Sequence, residues 1–369
     1  IVGKSITGTL KAGRTFALPN LPGAPDRDRV SDAQIVAYGR INAVAYVGDF
    51  AGSITSYSGG IGKITITGGS LRRYMPSVTT VTPTTPVQGI FAFDGNIDSI
   101  TITRGHLLGD VIAFDGSIGT ISVKGDANFG DIGIDPSKVL ADPSSPTGAD
   151  ASLGNSEGRF RLPALPTGAF GAGRDGPTIR AKYDIGTIST TGKIFEAAIQ
   201  AGRNIRQITA GGVDDFGIPT ATPTFVIAGD TITSVSVSNK NPTAIGGMLI
   251  GAGITSLGAD NAPGGIGANA DTVESGDIGS VSVKGGANGL TIVAGLNAGA
   301  DGVYNTGDET SARGLSTIKS VAVSGNAAGV TVFADTLVEK VTPNLLGSVG
   351  GTGAASVAPV VLAGSGTQV

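Results

Sequence analysis

The 369-residue chain contains no cysteine and no tryptophan. The missing cysteine excludes a disulfide framework, a thiolate nucleophile and any cysteine-ligated metal. Histidine occurs once, as His106, so a histidine-rich metal site is excluded too. A Ser-His-Asp hydrolase would have to use that one residue, yet no G-x-S-x-G elbow accompanies it. Its setting in TRGHLLGD, just past a strand, reads as a surface histidine. Charged residues make up only 15% of the chain and the net charge is −4, which argues against the basic face a nucleic-acid binder presents. The uncharged apolar runs are far shorter than a membrane span. No G-x-x-x-x-G-K-[ST] loop and no helix to cap a phosphate are seen, so nucleotide binding is unsupported.

What is abundant is glycine, 61 residues of it, together with Val, Ile and Thr. There is no G-X-Y period, so the glycine is not collagen-like, and the β-branched content sets the chain apart from disordered low-complexity polymers. Many short strands joined by tight corners fit this composition.

A repeat organises those strands. AFDGNIDSITI, from Ala92, is restated as AFDGSIGTISV, from Ala113. The frame is Ile, two residues, Ile or Val, one residue, and often a third β-branched residue. It recurs at Ile41/Val44, Ile61/Ile64/Ile66, Ile97/Ile100/Ile102, Ile118/Ile121/Val123, Ile185/Ile188, Ile205/Ile208, Ile232/Val235/Val237, Ile254/Leu257, Ile278/Val281/Val283, Ile318/Val321/Val323 and Val338/Val341. Most steps lie just above 20 residues; the steps of 36 and 40 read as one coil plus an insertion or as two coils. A second short apolar strand precedes most copies, as in IVAYGRI, GIFAFDGNI and TFVIAGDTI. Apolar residues at i and i+2 mark a strand with one buried face. A 20-residue unit of two strands and glycine corners cannot bury that face alone, whereas stacked copies share a continuous core. The predicted fold is therefore all-β: a parallel β-helix, right-handed as strand crossovers usually are, with Pro/Gly-rich loop inserts.

A longer duplication lies over the short one. GRTFALPNLPGA from Gly13 matches GRFRLPALPTGA from Gly158, and Phe16/Phe160, Leu18/Leu162, Ile35/Ile179, Ile41/Ile185 and Ile61/Ile205 are all 144 apart. The offset then slips to 135 or 136 (Ile97 to Ile232, Ile118 to Ile254). This predicts a first solenoid block at 1–134, including a Pro-rich strip at 13–30, and a Pro-rich insert at 135–178. A second block with extra coils follows at 179–341, then an uncharged tail at 342–369. The shared Phe-x-Leu-Pro-x-Leu-Pro strip would lie along the solenoid flank, clip onto a neighbouring subunit, or form an ordinary structured loop.

The candidate chemistry is sparse. Asp94 and Asp115 fall at the same rung position, with Asp135 as a continuation, and Asp110 and Asp131 look like a second pair. Stacked carboxylates could raise one pKa or recruit a cation. Asp-Gly is also ordinary turn chemistry, and no Lys, Arg or His recurs in step with these acids, so the turn reading is the stronger. The loop DGVYNTGDE, residues 301–309, offers oxygen ligands suited to calcium but lacks EF-hand spacing. GGIGANAD, from Gly264, has Asn where a calcium nonapeptide has Asp, and no tandem copy. Phe93 and Phe114 either stack outside the solenoid as a contact surface or belong to the core, depending on the direction of the pleat. No catalytic, cofactor-binding or metal-ligating residue is assigned.

The G-x-I-x-x-I-x-V-x-G rungs over 31–341, the low charge and the lack of cysteine resemble bacterial secreted and cell-surface β-helix repeat proteins, adhesin-like and filament-forming ones among them. The resemblance implies a fold more than a function. The chain opens IVGKSITG, without Met or a charged-then-apolar leader, as a processed secreted protein or a trimmed one would. The expected role is a non-enzymatic extracellular or cell-surface structural subunit whose partners are copies of itself, associating through solenoid ends and inserts. An adhesin binding surface polysaccharide is the alternative, followed by a polysaccharide lyase or hydrolase. The tail beyond Lys340 carries no charge, and its apolar Val357–Leu362 stretch is expected to act as a strand donor or a cap.

Overall fold

A computed structural model describes residues 2–13, 30–31, 34–50, 52–71, 89–125, 130–133, 176–214, 224–238, 247–256, 267, 270–300, 310–311, 315–324, 327–328, 330–343 and 360–363. Within them the chain is built from strands, and the fold is a parallel β-helix. Two compact units are present.

In the first unit, one parallel sheet contains Val2–Gly3, Gln34–Ala37, Ser53–Ser56, Gly89–Ala92, Asp110–Ala113 and Thr178–Ala181. A second contains Ile6–Gly13, Ile41–Val47, Ile61–Thr67, Ile97–Thr103 and Ile118–Lys124. The two restated segments are direct neighbours: Ile97 pairs with Ile118, Ile100 with Ile121 and Ile102 with Val123. Ile97 also pairs with Ile61 on its other side, so the 36-residue step is one coil plus an insertion. Each of the strands beginning at Ile41, Ile61, Ile97 and Ile118 contributes three inward side chains. Ile41, Ile61, Ile97 and Ile118 make one column, and Val44, Ile64, Ile100 and Ile121 make the next. All eight are essentially inaccessible to solvent. Between the first two inward positions two successive residues face out, as with Asp98 and Ser99. The I-x-x-I-x-I spacing therefore departs from strict alternation at that one place. Burying each aliphatic side chain is worth about 1.5–3 kcal/mol, so these columns dominate the favourable side of folding.

The second unit repeats the arrangement. Ala198–Ala201, Thr224–Ala228, Met248–Ala252, Leu290–Ala294, Thr331–Ala334 and Val360–Ala363 form one parallel series. Ile205, Ile232, Ile278, Ile318 and Val338 head the rungs of the other. Ile278 pairs directly with Ile318, so the 40-residue step is again one coil plus an insertion.

One predicted rung is not a rung. Ile254–Ser256 pairs antiparallel with Thr272–Val273 and lies outside the main ladder, where Ile232 stacks directly on Ile278. Ile254 instead joins Phe225, Ile227, Leu249, Val293 and Phe333 in a separate apolar cluster, with Val273 and Leu296 at its margin. The strand Thr224–Ala228 is consequently buried along its whole length. The tail's expected strand does form: Val360–Ala363 pairs in parallel with Thr331–Ala334 of the same chain.

The corners show why glycine is so frequent. The turn after the second-sheet strands takes positive φ at Gly48 and Gly68, and Arg104 holds the equivalent place at φ 59°. At the neighbouring Gly105 a Cβ would collide with the Gly69 carbonyl oxygen of the preceding coil. Rungs can stack this closely only where no side chain stands between them.

Two substitutions test this core. Ile100→Ala should destabilise by about 2–5 kcal/mol, and Thr101→Ala, on the solvent side of the same strand, by no more than about 0.5 kcal/mol. Denaturant midpoints would measure both. Gly105→Ala should be at least as damaging as Ile100→Ala, although it adds a single methyl group.

Candidate functional site: an exposed aromatic ladder and a polar corner column

Four of the six first-sheet strands of the first unit end in a small residue followed by an aromatic one, Ala37-Tyr38, Ser56-Tyr57, Ala92-Phe93 and Ala113-Phe114, whereas Gly3 and Ala181 at the two ends are each followed by a lysine. Because Ala37 pairs with Ser56, Ser56 with Ala92 and Ala92 with Ala113, the following residues are also in register. The four rings stack. Their centroids lie 5.7, 5.1 and 4.7 Å apart in chain order, with interplanar angles closing from 26° to 16° to 10°. These separations suit favourable aromatic pairing. All four rings are exposed, Tyr38 by 64% and Phe114 by 39%. The pleat thus turns Phe93 and Phe114 outward, settling the open question of their direction. Tyr38 and Tyr57, which the AFDG motif does not reveal, extend the ladder. The signal for them was present, since each follows the small residue that closes its strand.

Rings stacked along the coil axis cover one another's faces and present their edges to solvent. At the Tyr38 end, the register that pairs Gly3 with Ala37 places exposed Lys4 at the equivalent position. In the second unit the matching positions after Ala201, Ala228, Ala252 and Ala294 are all glycine, so among the described residues the ladder belongs to the first unit. There Tyr183 has Arg203 4.9 Å and Lys182 5.3 Å from its ring centroid, and Arg203 also bonds Asp184.

The acids read from the sequence divide into two groups. Asp94 and Asp115 are exposed and lie two residues past the paired Ala92 and Ala113, so they do occupy equivalent turn positions. Asp110 and Asp131 do not form a pair. Asp110 opens a first-sheet strand opposite Gly89, and its Oδ1 accepts the Thr178 N–H at 2.9 Å. Asp131 belongs to a different corner. Asp135, the 301–309 loop and both Phe-x-Leu-Pro-x-Leu-Pro strips lie outside the described residues.

Asp131's corner is a column of polar side chains, each bonding the backbone of the next coil. Phe50, Leu71, Leu107, Ile132 and Ile194 are bridged in series, and the residue before each supplies the column. Asp49 Oδ1 accepts the Ser70 N–H at 2.7 Å, and Ser70 Oγ accepts the His106 N–H at 3.0 Å. His106 Nδ1 accepts the Asp131 N–H at 3.3 Å, and Asp131 Oδ1 accepts the Lys193 N–H at 2.7 Å. His106 is therefore buried, 8% exposed, rather than on the surface. Leu107 draws it inward, and its ring takes the acceptor role that Asp and Ser play elsewhere in the column. Similar cross-coil bonds recur: Asn96 Oδ1 accepts the Ser117 N–H at 2.8 Å, and Asp277 Oδ1 accepts the Thr317 N–H at 2.8 Å. These oxygens are committed to holding coils together.

No group of three or more His, Cys, Asp or Glu able to hold a metal is found among the described residues, nor any helix long and apolar enough to cross a membrane. In comparison with known proteins, no family model, no curated protein and no solved structure matches the chain.

The column makes a specific prediction. Asp131→Ala strips the acceptor from a Lys193 N–H beneath a fully buried side chain, and should destabilise by about 1–3 kcal/mol. Asn96→Ala, at an exposed turn, should cost no more than about 1 kcal/mol by the same measure. Equal effects in a chemical-denaturation series would contradict the assignment of Asp131 to the column.

Proposed function

We infer that this protein is a non-enzymatic extracellular structural subunit that associates with copies of itself, and that the aromatic ladder of the first unit is one of its contact surfaces. The observation that carries the reading is the ladder: four stacked rings left in water by a chain with few aromatic residues. A contiguous exposed apolar strip is the usual mark of an interaction site. A second copy is the fitting partner because it presents the same strip with the same coil-to-coil period, so that ring edges meet in register along the whole row. The low charge density opposes such contact little. The structural role is supported by the way Asp49, Asp110, Asp131 and Asp277 bond backbone N–H groups of other coils.

A second reading, a carbohydrate-binding adhesin, has one observation in its favour. Sugars pack against ring faces, and Tyr38, the terminal ring, is the most exposed of the four at 64%. It offers one platform, whereas self-association uses the whole row.

Sedimentation velocity and electron microscopy of the full chain test the proposal against a variant carrying Tyr38→Ser, Tyr57→Ser, Phe93→Ser and Phe114→Ser. The chain should associate with rising concentration, and the variant should remain folded yet associate at least about tenfold more weakly, the effect of losing a hot-spot contact. A wild-type chain that stays monomeric at every concentration would refute self-association. Undiminished assembly of the variant would remove the ladder from it. Glycan binding lost on Tyr38→Ser alone would favour the second reading.

A further inference from the structure

The corner column contains one member whose acceptor can be switched off. Asp49, Ser70 and Asp131 accept their N–H bonds through oxygen, whereas His106 accepts through Nδ1. An imidazole nitrogen accepts only while it carries no proton. The bond from the Asp131 N–H to Nδ1 therefore requires neutral His106 with its proton on Nε2. The same Nδ1 lies 3.3 Å from Asp131 Oδ2. When His106 becomes charged, its new N–H at Nδ1 has that carboxylate oxygen as an acceptor, while the Asp131 backbone N–H now faces a donor.

We propose that His106 and Asp131 form a proton-operated clasp. In the neutral state the imidazole bonds the backbone of the next coil, and in the charged state it releases that N–H and pairs with the Asp131 side chain. The coils at this corner are joined backbone-to-side-chain in one state and side-chain-to-side-chain in the other. Because His106 is the only histidine, no second imidazole contributes to the transition.

The surroundings are consistent with this exchange. Asp131 is fully buried, its Oδ1 accepts the Lys193 N–H, and its Oδ2 lies 3.3 Å from the imidazole Nδ1. Among the described residues, other charged groups of this corner are placed as follows. Asp49, two coils away in the column, binds the Ser70 N–H, and the Lys193 ammonium lies 5.5 Å from the Phe195 ring centroid. On His106's own loop, Arg104 is exposed and Asp110 is buried against the Thr178 N–H. A neutral, pH-independent version of the clasp exists elsewhere in the molecule, where Asn96 Oδ1 accepts the Ser117 N–H.

Residue-resolved amide exchange across the titration of His106, on the full chain, tests the proposal. The protection factor of the Asp131 amide should fall by at least about tenfold relative to Leu107 and Ile132 as His106 becomes charged, the scale of a lost buried hydrogen bond. In His106→Asn the amide should stay protected at both ends of the range. Asp131 protection that follows its neighbours through the titration would overturn the proposal, as would an unchanged pH dependence in His106→Asn. Should that variant not fold, the ¹⁵N shift of Nδ1 in the unaltered protein decides: an unprotonated nitrogen in the neutral state supports the clasp, and a protonated one refutes it.

Discussion

The structure depends on register between parallel strands one coil apart. Neighbouring strands lie about 4.8 Å from each other, so whatever side chain one coil places inward, outward or at a corner meets its equivalent from the next. Isoleucine placed on isoleucine gives the core columns of the first unit. Tyrosine and phenylalanine placed at a strand's end give the ring ladder. Asp, Ser and His at one corner give the hydrogen-bonded column. One geometric rule thus generates the core, the exposed strip and the polar seam.

The same rule limits what the side chains can do. Backbones at a corner approach so closely that Gly105 could not carry a Cβ beside the Gly69 carbonyl, and polar atoms there meet N–H groups before they meet solvent. Carboxylates that look like paired catalytic acids in the sequence are therefore drawn into cross-coil bonding when buried, as Asp110 and Asp131 are. Asp94 and Asp115, at the outer turn, keep their exposure. Chemistry on such a scaffold is left to the surface, where the first unit presents aromatic edges and the second mostly glycine at the matching positions.

The second sheet was legible in the sequence because its strands repeat a single spacing with one side-chain type, and periodicity reads that directly. Ile97 on Ile118 follows from it. Ile254 misled because an Ile–Leu pair at the right spacing also suits a segment that covers the outside of a sheet, and such cover is recruited by the outward Phe225, Leu249 and Phe333. The ladder was half legible. Strands of the first sheet such as Gly89–Ala92 are buried on both faces, so no alternation shows which way the next ring points. His106 was misread because the glycines around it suggest a surface loop. Its burial is decided by Leu107, whose bridges to Leu71 and Ile132 join residues far apart in the chain.

The chain lacks cysteine, so coil register can be tested directly by introducing a pair. Thr101 and Ser122 are outward-facing partners on adjacent coils, within the Cα separation a disulfide spans. Ala45 and Ser122 are three coils apart. Under mild oxidation, Thr101→Cys with Ser122→Cys should close an intramolecular disulfide nearly completely, while Ala45→Cys with Ser122→Cys should remain free thiols. Failure of the first pair to close, or closure of both pairs alike, would contradict the stacked-coil arrangement from which everything else here follows.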